Sequence, residues 1–276
     1  MSSSLGGSNV IDVVKKLNII HKASKDFSDN PPNHSGSLKN SSNFSIFAER
    51  FFNQNIFYMK QVKIKNKDQQ YAIGKIVCVG RNYAEHAKEL GNEVPEKPVI
   101  FLKPTSSVIY SGDKIIHPSF SVDMHHETEL VLLIGKTIKN AGTEEAEKAI
   151  IAYGVGLDMT LRDIQTELKK KGHPWTIAKG FDTSAVLSEF ISKDDYKLTL
   201  NEDIILRVNG NERQHEKLNM MIFTPVEVVE YISSLMTLEE GDLVFTGTPA
   251  GVSKVVSGDK MYAEITGIAK LECEVV

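Results

Sequence analysis

Two cysteines, Cys78 and Cys273, are all that the 276 residues contain. They lie far apart, each inside an apolar, strand-like run, so neither a disulfide framework nor a cysteine-based zinc site can be built from them, and a reducing compartment suits the chain. Long apolar runs are missing too. Stretches such as Val131 to Ile134 fall well short of the ~18–20 residues that a spanning helix needs, so a membrane is not an expected partner. Nor is there an excess of basic charge. Lys and Arg total 32 against 36 Asp and Glu, a net charge of −4, which lacks the cationic surplus that phosphate-backbone neutralisation demands and excludes nucleic acid. The first 30 residues contain no arginine and lack the basic start, apolar centre and small-residue cleavage site of a secretory signal. The expected location is the cytoplasm, or the mitochondrion if the N-terminal extension is a targeting segment. Finally, there is no GxGxxG fingerprint, P-loop, GxSxG elbow or HExxH, so nicotinamide chemistry, NTP hydrolysis, serine-esterase and zincin readings have no support.

What is present suffices for a core. Hydrophobic residues make up 41% and charged residues 25%, close to globular averages. The composition changes along the chain. Up to residue 58 it is Ser/Asn-rich, and "SDNPPNHSGSLKNSSN" at 28–43 offers turn and coil formers without an apolar period. Residues 1–58 are therefore read as a disordered or peripheral extension and 59–276 as the folded catalytic domain. From Met59 onward many short strands alternate with a few helices, without the regular strand-then-helix beat of a doubly wound sheet, which predicts a mixed α+β fold. Gly-Asp turn signals mark strand entries near 114–117, 243–246 and 260–266. Thr143 is expected to cap a helix over 144–153 that Gly154 ends, a second helix to run from about Thr160 to 171 with Gly172 as its stop, and Thr224-Pro225-Val226-Glu227 to form a capping box opening a third that reaches Met236.

The stretch "VDMHHETELVLLIG" at 122–135 reads as a buried strand on which Glu127 and Glu129, two residues apart, share a face. Two like charges beside an apolar core are costly unless a pKa rises, a Lys or Arg approaches, or a divalent cation with a taste for oxygen binds. A polar strand edge facing solvent is the alternative. His125 and His126 are adjacent and face opposite ways, so zinc is the weaker reading. Asp158 closes a strand-like run just before the 160–171 helix, where it would either cap that helix or complete a Glu/Glu/Asp octahedral site with open positions. In "GRNYAEHAKELG" at 80–91, His86 and Glu89 fall on one face of a short helix as a possible general-base pair or as plain solvated charges. Lys179, in an otherwise apolar stretch, would stabilise a developing oxyanion or merely snorkel. The "VFTGTPAGV" turn at 244–252 would offer backbone N–H groups and hydroxyls to a substrate carboxylate, or be a plain turn.

Taken in order, "VCVGRNYAEHAKEL", "FLKP", "HHETEL", "LDMTLRDIQ", "KKKGHPWTIAKGFD" and "FTGTPAGV" resemble the fumarylacetoacetate hydrolase family, and its acylpyruvase branch in particular, over roughly Lys75 to Val276. The resemblance implies a mixed β-roll with a few peripheral helices, commonly a homodimer. It implies Mg²⁺ or Mn²⁺ on Glu127, Glu129 and Asp158, a His86–Glu89 dyad on a lid segment, and Lys179 as an electrostatic stabiliser. Arg81, Arg162 and Gln165 match substrate-contacting positions, and Thr248 a position at the carboxylate end of the substrate. The implied activity is C–C hydrolysis of 3-acylpyruvates to pyruvate and a carboxylic acid, with decarboxylation of oxaloacetate at the same site. Alternatives on the same metal site are an oxaloacetate tautomerase or a heptadienedioate isomerase, and a non-catalytic metal-binding scaffold is the third.

Overall fold

A computed structural model describes residues 59–276; the expected N-terminal extension lies outside the described residues. The frame is an eight-stranded mixed sheet, and its centre is the strand Thr128–Ile134, in which all seven residues are buried. That burial on both faces is what its unbroken apolar run requires. Antiparallel partners flank it: Ile150–Asp158 on one side and Leu243–Phe245 on the other. Beyond Leu243–Phe245 the sheet continues with Ile76–Gly80 in parallel and Val99–Lys103 antiparallel. Beyond Ile150–Asp158 it continues with Ala185–Leu187 antiparallel and Val108–Tyr110 parallel, while Ile191–Ser192 pairs the far end of Ile150–Asp158. A second, five-stranded sheet runs in the order Asn211–Lys217, Asp203–Val208, Lys260–Ile265, Ala269–Val275, Lys114–Ile115. Its strands Asp203–Val208 and Lys260–Ile265 alternate buried with half-exposed or exposed positions, the signature of one face on a core. This is the mixed β-roll with few helices that the resemblance implies.

The predicted strand entries hold, at Lys114–Ile115, Leu243–Phe245 and Lys260–Ile265. So does the capping box: Thr224 opens the helix Pro225–Leu235 and exchanges hydrogen bonds with Glu227. Two boundaries need correction. The helix after Gly142 is Thr143–Ala149, with Thr143 inside it and no side-chain cap. It stops early because the apolar run from Ile150 joins the sheet, and Gly154 sits mid-strand, where a Cβ would lie 2.8 Å from the Phe190 ring. The next helix is Arg162–Lys170, because Thr160–Leu161 pairs with Met124–His125 as a short strand; Gly172 does follow it in the left-handed region, at φ 65°.

This topology gathers four chain segments at one end of the large sheet. Antiparallel pairing sets the start of Thr128–Ile134 beside the end of Ile150–Asp158, where the Asp158 N–H donates to the Glu127 carbonyl at 2.8 Å. The parallel strands Leu243–Phe245 and Ile76–Gly80 finish at that same end and lead into the 246–252 turn and the helix Ala84–Glu89.

Candidate metal centre and cavity

Glu127, Glu129 and Asp158 converge. One carboxylate oxygen from each lies within 4.8 Å of the others, and the residues are 5%, 1% and 0% exposed. The solvent-facing strand edge is therefore excluded, and Asp158 closes its strand rather than capping the helix, whose N-cap is Leu161. His125 and His126 stand apart from the cluster. His125 Nε2 is 3.0 Å from Asp123 Oδ1, and His126 is buried against Gln214 and Ser253, where desolvation drives its pKa down to about 4.

Cations are distributed unevenly over the three acids. Lys179, the last residue of the short buried helix Thr176–Lys179, places Nζ 2.7 Å from Glu127 Oε2 and 2.6 Å from Asp158 Oδ2. Burial works against its charge, but the two carboxylates outweigh it and hold its pKa above the ordinary lysine value. Lys103 reaches the other Asp158 oxygen at 2.8 Å. Arg162, first residue of its helix, pairs with Glu127 Oε1 and donates to Gln165 Oε1 at 2.7 Å. Burial would raise the Glu127 pKa, yet Lys179 and Arg162 pull it well below the usual carboxylate range. Glu129 has no cation among the described residues. Only the Gly247 N–H donates to its Oε2, at 2.7 Å, and burial beside Asp158 and Glu127 pushes its pKa well up. A buried carboxylate left short of positive charge, next to two more hard oxygen donors, fits a divalent cation such as Mg²⁺ or Mn²⁺.

Two backbone N–H groups of the turn after Leu243–Phe245 are taken by the protein's own acids. Gly247 N–H engages Glu129, and Gly251 N–H donates to Glu89 Oε1 at 3.1 Å. Gly247 has φ 99°, and a Cβ there would lie 2.6 Å from the Asn82 Cβ, so only glycine brings this N–H to Glu129. Glu89 also lies 3.2 Å from His86 Nδ1, on the helix Ala84–Glu89. Burial tends to raise the Glu89 pKa, but the hydrogen bonds from His86 and Gly251 hold it below the ordinary glutamate value. His86 Nε2 makes no hydrogen bond to the described residues and is free to exchange a proton.

His86, Glu127, Glu129, Arg162, Gln165, Lys179 and Thr248 line one cavity, with Arg81 and Lys169 at its wall. Arg81 sits at φ 62°, a left-handed conformation that non-glycine residues rarely adopt. Of the other residues singled out from the sequence, Glu89 stands behind His86 and Asp158 beside Glu127 and Glu129. Three supporting residues escaped that reading. Lys103 stood in "FLKP" as a lone charge ending an apolar run, which was the available signal. Gln214 and Asn82 gave none, because the backbone groups they bind come from segments remote in sequence.

Comparison with known proteins agrees with this geometry. The family description "Fumarylacetoacetate (FAA) hydrolase C-terminal" matches residues 75–276. A mitochondrial oxaloacetate tautomerase of Arabidopsis thaliana is 47% identical over 73% of this chain and 90% of its own length. A mitochondrial oxaloacetate decarboxylase of Dictyostelium discoideum is 48% identical over 70% and 89%. The crystal structure of fumarylpyruvate hydrolase from Pseudomonas aeruginosa in complex with Mn²⁺ and pyruvate superposes with a TM-score of 0.76 at 37% identity, covering 79% of this chain and 96% of that one. With the sheet, the acidic cluster and these matches in agreement, the chain belongs to the fumarylacetoacetate hydrolase family of enzymes.

Proposed function

We propose that the chain is a divalent-metal-dependent enzyme acting on a small α-keto acid, with oxaloacetate as substrate and enol–keto proton transfer at C3 as its reaction. The observation that carries this reading is one cavity holding three different groups. It has a buried acidic triad, a His86–Glu89 pair, and two wall cations, Arg81 and Lys169, with no carboxylate partner among the described residues. Lys169 donates only to Asn92 Oδ1, at 3.0 Å. Burial together with the charges of Arg81 and Arg162 lowers its pKa, as expected of a cationic wall that lacks its anion. A keto acid with a second carboxylate supplies one end for the metal and one for this wall. The tautomerase and decarboxylase relatives point the same way.

Glu127, Glu129 and Asp158 would hold the Mg²⁺ or Mn²⁺, which when bound polarises the 2-oxo group as a Lewis acid. Lys179 and Arg162 keep Glu127 ionised, and Lys179 and Lys103 hold Asp158 from both oxygens. Glu89 fixes the His86 ring through Nδ1, leaving Nε2 to move the proton at C3. Arg162 aligns Gln165 at the cavity wall.

A second reading, C–C hydrolysis of 3-acylpyruvates, is favoured by the same dyad: an ionised Glu89 behind His86 also suits removal of a proton from water. One assay separates them. With Mg²⁺ or Mn²⁺ added, enol-oxaloacetate should lose its ultraviolet absorbance without release of pyruvate. Faster release of pyruvate from acetylpyruvate would transfer the assignment to hydrolysis, pyruvate and CO₂ from oxaloacetate would make it a decarboxylase, and inertness of both substrates in the metal-loaded protein would leave a binding scaffold.

The mitochondrial relatives support a mitochondrial location as the alternative to a cytoplasmic one; no helix among the described residues is long and apolar enough to cross a membrane. A homodimer is the proposed assembly, and a chain beginning at Met59 is proposed to keep fold and activity, since every site residue named above falls within 59–276.

A further inference from the structure

Gln214 lies on Asn211–Lys217 of the five-stranded sheet, is 1% exposed, and stands outside the acidic cluster. Its amide nevertheless touches both sides of the site. Oε1 accepts from the N–H of Thr128, the residue between Glu127 and Glu129, at 3.1 Å. Nε2 donates to the Pro249 carbonyl at 2.8 Å and to Thr248 Oγ1 at 2.8 Å. A backbone N–H can only donate and a carbonyl can only accept, so two main-chain groups fix which end of the amide is which.

That fixed orientation determines what Thr248 does. Its oxygen receives a hydrogen from Gln214, so its own proton remains to be given elsewhere. Thr248 is 2% exposed, lines the cavity beside Glu127 and Glu129, and donates to no acceptor among the described residues. The relay extends upstream. His126 Nδ1 is 3.1 Å from Gln214 Oε1 and must carry a hydrogen there, while Nε2 of the neutral ring accepts from Ser253 Oγ at 3.0 Å. Ser253, His126, Gln214 and Thr248 form a line of bonds all running in one direction, each polarising the next, and its open end is a hydroxyl proton at the cavity.

We propose that Gln214 is a positioning residue, which presents the Thr248 hydroxyl as a hydrogen-bond donor to the carboxylate beside the keto group of a bound α-keto acid. This rests on the keto-acid reading above, in which the family resemblance already sets Thr248 at the carboxylate end; what it adds is the part played by Gln214.

The test is calorimetric titration of pyruvate into the Mn²⁺-loaded full chain, in two backgrounds. Gln214→Glu keeps the shape but can only accept, so the Thr248 proton turns toward it. Pyruvate binding should weaken about tenfold, the worth of one hydrogen bond. In a Thr248→Val background the same substitution should cost at least fivefold less, because the group it acts through is gone; any effect of the added charge alone appears in both backgrounds and cancels in the comparison. An equal loss in both, or no loss in either, overturns the proposal. If the Glu variant fails to fold, Gln214→Met decides by the same pair of measurements. A wild-type chain that binds Mn²⁺ but not pyruvate overturns the keto-acid reading and this inference together; pyruvate bound equally by every variant overturns this inference alone.

Discussion

Lys103 Nζ lies 2.8 Å from Asp158 Oδ1, and neither side chain reaches solvent. The ammonium is held in place by the carbonyls of Lys179, Met159 and Ser184 and by Ser184 Oγ. With Lys179 at the opposite oxygen, Asp158 is clamped between two ammonium groups, while Glu129, in the same cluster, has only a backbone N–H. Positive charge is thus supplied to two of the three acids and withheld from the third, which concentrates the unmet demand for a cation at one point.

Lys103→Met should be severely destabilising. It leaves Asp158 with a buried, half-compensated charge and removes donors from several carbonyls, a change of about 3–5 kcal/mol by analogy with broken buried ion pairs. Urea unfolding should register that loss in the metal-free protein, and Mn²⁺ should recover part of it by supplying charge to Asp158 from the other side.

Glu129→Gln should do the reverse. The amide can still accept from Gly247 N–H, but the buried carboxyl, whose pKa burial and then the repulsion from Asp158 and Glu127 raise, is gone. The metal-free variant should therefore melt higher than wild type. It should also lose the stabilisation that metal gives the wild type, which at a hundredfold excess over Kd amounts to ~2.7 kcal/mol. Thermal melts with and without Mn²⁺ measure both effects.

The acids were legible in the sequence because a strand's period of two puts Glu127 and Glu129 on one face whatever the fold, and an apolar run behind them forces burial. Asp158 was ambiguous for a local reason. A carboxylate at a strand–helix junction looks the same whether it caps or ligates, and only the pairing of Thr160–Leu161 with Met124–His125, a contact between distant segments, delays the helix and frees the side chain. The helix boundary after Ala149 was misplaced because amphipathic spacing continues past the point where the large sheet captures Ile150. Lys103 announced itself only as a lone charge ending an apolar run, while Gln214 and Asn82 bind main-chain groups from elsewhere in the chain, which no pattern of side chains announces.

His126 makes acid stability testable. Its folded pKa, about 4, is depressed from 6.5 by burial, so between those values the unfolded chain binds a proton that the folded one refuses. Stability contributed by this group is complete above pH 6.5 and is lost as the pH falls toward 4, at up to ~1.4 kcal/mol per pH unit. Chemical denaturation across this window should show that slope in wild type, and His126→Gln should flatten it.

The cationic wall should read the second carboxylate. Lys169→Glu places a negative charge beside Arg81 and Arg162 without touching the acidic triad. The KM for oxaloacetate should rise roughly tenfold through like-charge repulsion, while that for acetylpyruvate, which has no distal carboxylate, should change little. A parallel rise for both substrates would mean that Lys169 supports the cavity through its bond to Asn92 instead of sorting substrates.

Glu89→Gln isolates the dyad from everything else in the cavity. The amide oxygen can still accept from Gly251 N–H, so the helix Ala84–Glu89 keeps its tie to the 246–252 turn, and no contact to the acidic triad is disturbed. What is lost is the negative charge that faces the His86 ring at Nδ1. Loss of a positioned acid–base pair costs ~10²–10⁴ in rate, so kcat should fall at least a hundredfold while calorimetric affinities for Mn²⁺ and pyruvate stay within a factor of two. Hydrogen bonds hold the wild-type Glu89 carboxyl below its ordinary value, so wild-type activity should persist into mildly acidic solution without a break attributable to this group. An unchanged kcat in the variant would remove His86 and Glu89 from the chemistry and leave the proton to be moved by another cavity group.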